Sequence, residues 1–79
     1  MNKPWPLHPA ARALTEDEVF AAACYSVRAA DAAMRLTGGN RWEACYYSAV
    51  DAVACLWHGE PGKVLSIARR AYHSTVVAA

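Results

Sequence analysis

Apolar residues recur along this chain at helical spacing, in three successive stretches. Val19, Phe20, Ala23, Val27, Ala30, Ala33 and Met34 share one side of a first helix. Trp42, Cys45, Tyr46, Ala49, Val53, Leu56 and Trp57 do the same in a second. Val64, Leu65, Ala68, Ala71, Tyr72 and Thr75 complete a third stripe. No stretch alternates in the manner of a half-buried strand. The pattern predicts an all-α protein, a compact three-helix bundle, with helices over about 16–37, 41–58 and 61–75.

The punctuation between the stripes agrees with those bounds. Thr15-Glu16-Asp17-Glu18 is a capping box, with Thr15 as N-cap and Glu18 at the third helical position. Leu14 and Val19 occupy its two hydrophobic-staple positions. The acidic run also suits the positive end of the helix dipole. Gly38-Gly39 stops this helix, and one of the two is expected in the left-handed conformation. Asn40 caps the second helix, with Glu43 three residues on. Gly59 ends it, and Pro61 fits the first turn of the third. Connections this short make consecutive helices antiparallel neighbours.

Residues 1–14 read differently. Pro4, Pro6 and Pro9 each fix φ and favour extended backbone before them. They predict an extended N-terminal arm carrying Trp5 and Leu7, followed by a single helical domain over 15–79.

One short word appears once in each helix: Cys24-Tyr25-Ser26, Tyr46-Tyr47-Ser48 and Tyr72-His73-Ser74. It is expected to serve packing, a tyrosine spanning the groove while a small neighbour makes room. Three similar units are also the minimum for a stacked helical repeat.

At 79 residues the chain is one domain, near the size where one core barely suffices. Its 56% apolar content is rich in alanine, which tolerates exposure. Three tryptophans and four tyrosines do not all fit one small core, so some are expected on a surface patch. A net charge of +1 implies neither a polyanion nor an acidic substrate. No window approaches a membrane span, and the N-terminus lacks a signal-like apolar stretch. The expected compartment is the cytoplasm, of a bacterium or of a phage's host. Cys24, Cys45 and Cys55 are odd in number and lie in apolar context, so buried free thiols are expected.

Candidate chemistry is sparse. Asp31 and Asp51 interrupt apolar stretches and need either solvent or a basic partner. Asp51, Cys55 and His58 share a helix face, but the paired Cys-x-x-Cys spacing of structural zinc is missing. Neither a metal nor another cofactor is expected, and no catalytic signature is evident. Lys63, Arg69, Arg70 and His73, with Arg12 and Arg41, make up a candidate basic patch. What remains is binding. Trp5, Tyr25, Tyr47, Trp57, Arg69 and Arg70, with Asp31 and Asp51, are the candidate partner-binding residues, since Tyr, Trp and Arg dominate interface hot spots.

The alanine-rich helical composition, interrupted by aromatic residues and cysteines, resembles that of many small bacterial and phage proteins. Immunity proteins and phage-encoded inhibitors such as anti-CRISPR proteins are among them. The likeness is compositional and implies a non-enzymatic module that inhibits a host protein complex. The expected partner is a larger protein or complex, with homodimerisation a further expectation and no membrane. The alternative is a small nucleic-acid-binding regulator using the basic side of the third helix.

Overall fold

Thr15 opens the first helix, α1 (Glu16–Thr37), in the computed structural model, which describes residues 13–77. The Glu18 N–H donates to Thr15 Oγ1 at 3.2 Å, and the Thr15 N–H donates to Glu18 Oε1 at 2.8 Å. Both halves of the capping box are therefore made. Gly38 ends α1 with φ of 77°, its N–H donating to Met34 O at 2.8 Å. That left-handed conformation is costly for any residue with a Cβ, which explains glycine there.

Asn40 Oδ1 then accepts from the Glu43 N–H at 3.2 Å and starts α2 (Arg41–Leu56). The expected end at His58 is two residues too far. Trp57 leaves the helix in extended conformation, and its indole N–H donates to Glu60 O at 2.7 Å. Its ring lies so near Gly59 that a Cβ there would come within 2.2 Å of the indole. The corner is thus built by a tryptophan folded over a glycine. Pro61 sits in the turn ahead of the third helix rather than in its first turn. Lys63 and Val64 donate back to the carbonyls of Glu60 and Pro61 at 3.0 and 3.2 Å. The third helix, α3 (Lys63–Tyr72), begins two residues later than expected and runs on as a π-helical turn, His73–Val77. The hydroxyls of Ser74 and Thr75 both donate to Ala71 O, supplementing the altered backbone pattern there.

Each helix packs on both others, so this is a closed three-helix arrangement. In a stacked repeat, by contrast, first and third units do not meet. The core is Val19, Ala23, Cys24 and Val27 of α1, Cys45, Ala49 and Val53 of α2, Ile67, Ala68 and Ala71 of α3, and Val76. Alanines between the larger residues let the backbones approach closely. Burying each Val or Ile contributes about 1.5–3 kcal/mol.

The three words meet at one level. Cys24 Sγ lies 3.7 Å from Ser74 Oγ, Ser48 Oγ donates to Ser26 O at 3.2 Å, and the Tyr46 and Tyr72 rings pack edge-to-face with centroids 5.7 Å apart. Every word therefore touches the other two.

Several stripe members lie elsewhere than expected. Ile67 is fully buried although the third stripe omitted it, while Leu65 is exposed. A ten-residue helix leaves its rotation poorly determined by pattern alone. Ala33 is exposed because the last turns of α1 contribute no buried residue beyond Val27. Trp42 is 51% exposed in the first turn of α2, with the Arg41 guanidinium 4.6 Å above its ring. The expected arm lies almost wholly outside the described residues.

Candidate functional site

A chain of aromatic rings crosses the surface where α2 and α3 adjoin. Tyr47 packs edge-to-face on Tyr46 at 5.9 Å, Tyr46 on Tyr72 at 5.7 Å, and Tyr72 on His73 at 5.6 Å. Tyr46 and Tyr72 are half-buried and form the floor; Tyr47, 57% exposed, and His73 rise at the two ends. Such T-shaped contacts hold rings in defined orientations, each worth about 0.5–1.5 kcal/mol beyond burial. The result is a rigid, amphipathic surface whose side chains lose little entropy on binding.

Charge flanks these rings unevenly. Glu43, Tyr47 and Asp51 follow one another four residues apart along the exposed side of α2. Arg69 of α3 and His73, which opens the π-helical turn, are likewise exposed and four residues apart. No ion pair within the described residues involves Glu43, Asp51 or Arg69. Two carboxylates therefore follow the exposed side of α2, and the Arg69 guanidinium stands on α3.

The opposite edge, between α1 and α3, has its charges satisfied. Lys63 Nζ and Arg70 Nη1 both donate to Glu16, at 3.0 and 3.2 Å. The Arg70 guanidinium also lies 4.5 Å above the Phe20 ring and shields it. Two of the cations expected on a basic patch are thereby engaged inside the molecule.

A third cluster joins the far end of α1 to the start of α2. Arg35 Nε donates to Asp31 Oδ2 at 3.2 Å, and Arg41 Nε donates to Asp31 Oδ1. The Arg41 hydrogen bond, aided by Arg35, holds the Asp31 carboxyl below the usual carboxylate range, against the opposing effect of partial burial. Below Asp31, burial pushes the Cys45 thiol up, and the nearby Asp31 charge acts in the same direction. Cys45 Sγ points to Val27 O at 3.7 Å.

The sequence-derived candidates therefore separate. Tyr47 belongs to the ring chain of the α2/α3 face, while Asp51 and Arg69 are exposed along its outer margins, each two residues from core positions of its helix. Tyr25 is 73% exposed on the outer side of α1 and has no place in that face. Trp57 is half-buried and hydrogen-bonded into the corner after α2. Arg70 and Asp31 are held in internal ion pairs. Asp31 was expected to face solvent or a basic partner; it pairs with Arg35 of its own helix and with Arg41 of α2. Trp5 lies outside the described residues. Tyr46 and Tyr72 were not expected at the surface, because both belonged to core stripes, and His73 was expected in a basic patch rather than beside aromatic rings. Their signal was the repeated word itself, which places an aromatic residue at the same level of α2 and α3.

Cys24 and Cys45 are buried free thiols, but Cys55 is exposed. It stands two residues from Val53, which turns it to the far side of α2 from the core. His58 lies beyond the end of α2 and so does not share a helical face with Asp51 and Cys55. Among the described residues no group of three His, Cys, Asp or Glu side chains is placed to hold a metal ion. No helix among them is long and apolar enough to cross a membrane. Comparison with protein-family models, with curated proteins and with solved structures finds no match.

Proposed function

We propose that this protein is a small non-enzymatic binding module that docks on a larger protein through the α2/α3 face. The observation that carries the reading is the chain of four rings from Tyr47 to His73, half of it exposed and all of it held in defined edge-to-face contacts. Hot spots are built from such aromatic anchors with arginine beside them, as Arg69 is here. The small size and alanine-rich composition support a role as an inhibitor of a host protein complex, of the kind phages and mobile elements encode.

The nucleic-acid reading has less behind it. Lysines and arginines that bind backbone phosphates displace the counterions condensed on the nucleic acid, which calls for cations not already paired. Lys63 and Arg70 are instead paired with Glu16, and Asp51 and Glu43 line the neighbouring helix.

Three baits test the proposal: wild type, Tyr47→Ala and Tyr25→Ala, each used for capture from bacterial lysate at low and high salt. The expected result is a stoichiometric protein retained by wild type at high salt, retained by Tyr25→Ala and lost by Tyr47→Ala. Equal capture by all three baits would remove the α2/α3 face from the account. Nucleic acid recovered at low salt alone, and lost on Arg69→Ala, would transfer the function to α3.

A further inference from the structure

We infer that, without its larger partner, the protein self-associates as a two-fold dimer closed over the α2/α3 face, with Asp51 of each copy facing Arg69 of the other. The inference rests on the reading of that face as the docking surface and names its resting occupant.

Charge and register select the pairing. Tyr46 stands level with Tyr72, and α2 and α3 run antiparallel. Asp51 is therefore level with Ile67, about 3 Å along the axis from Arg69. Glu43 is level with Thr75, about 3 Å from the level of His73. A two-fold axis lying along the groove between the helices sets α2 of one copy on α3 of the other at unchanged height. Asp51 then meets Arg69 twice, and Glu43 meets His73 twice. Tyr47 is level with Ala71, midway between Arg69 and His73, which share a face at four-residue spacing. Its ring enters between them, over a guanidinium on one side and an imidazole on the other. Carboxylates on one helix and a guanidinium on the other are complementary to themselves under this rotation. Sliding one copy by a turn breaks the two-fold relation and puts these pairs about 5 Å out of register.

The size of the face agrees. α2 is about 24 Å long, and two adjacent helices span about 20 Å. Each copy thus offers about 500 Å², some 1,000 Å² for the pair, which is the range of weak, reversible association. A dimer of that strength can be displaced by a partner with a better-fitting surface.

Charge exchange tests the pairing without knowledge of the larger partner. Sedimentation velocity is run on wild type, Asp51→Arg and Arg69→Asp from about 10 μM to about 1 mM. Both substitutions lie on exposed helix positions, and far-UV circular dichroism verifies each fold. Wild type is expected to dimerise reversibly within this range. Each variant alone opposes like charges and should dimerise about tenfold more weakly or worse. Mixed in equal amounts, the two restore every pair and should form a heterodimer of near wild-type strength. A wild type that stays monomeric throughout overturns the inference. So do single variants that dimerise unchanged, or a mixture that remains monomeric. Capture of the larger partner is read separately: its loss with dimerisation intact removes the docking reading alone, and the converse removes the dimer alone.

Discussion

Two edges of this bundle are built from similar residues and finished differently. Between α1 and α3, Glu16 holds Lys63 and Arg70, and Arg70 covers the ring of Phe20. Between α2 and α3, the rings of Tyr47 and His73 lie open, and Asp51 and Arg69 stand outside any ion pair of the described residues. One edge has its partners within the chain; the other presents the same chemistry to the outside. Where a small domain leaves oriented aromatics and opposite charges unengaged, docking is the economical explanation.

The largest expected effect breaks the scaffold under both edges. Ile67→Ala empties a fully buried site in α3 and should cost about 2–5 kcal/mol, read by urea denaturation. A domain this small has little stability to lose, so partial unfolding at ambient temperature is the expected outcome. Next comes the open face. Tyr47→Ala should weaken partner binding by about 2 kcal/mol, with a stability cost of about 0.5–1.5 kcal/mol from the lost contact with Tyr46. The closed edge should differ in binding alone. Glu16→Gln loosens two exposed ion pairs, costs at most about 1 kcal/mol in stability and leaves binding unchanged. If Glu16→Gln impaired binding as much as Tyr47→Ala, the distinction between the edges would fail.

Acid sharpens the comparison at the third cluster. The Asp31 carboxyl titrates below its unfolded range because Arg41 and Arg35 favour its charged form. Its contribution is therefore complete above the unfolded carboxylate pKa and is lost as pH falls through the lower folded value. Asp31→Asn should destabilise at neutral pH, and the difference from wild type should vanish in acid. A constant difference at all pH values would assign its role to packing. The smallest effect concerns thiols: Cys55 should react with a maleimide within the native state, Cys24 and Cys45 only on unfolding.

Much of this fold was legible in the sequence, for local reasons. The capping box at Thr15, Gly38 after Thr37 and Asn40 before α2 act within a few residues, so their neighbours suffice to place them. The end of α2 depends on Trp57 folding over Gly59 to reach Glu60, a contact with no sequence pattern of its own. Ile67 and Leu65 exchanged places because a short helix presents two adjacent faces to two neighbours, and only packing selects between them. The candidate site divided in the same way. Tyr47 and Arg69 were identified from residue type. Arg70 and Asp31 were of the same type, yet their partners Glu16 and Arg41 lie 54 and 10 residues away, a pairing that only the tertiary arrangement supplies.

The most direct test of the open face is a dilution series of ¹H–¹⁵N NMR spectra. The account predicts that resonances of Tyr46, Tyr47, Asp51, Arg69 and His73 move with concentration, while those of Glu16, Tyr25, Lys63 and Arg70 stay still. Movement centred on Tyr25 and the outer side of α1, or none at all up to millimolar concentration, would contradict it.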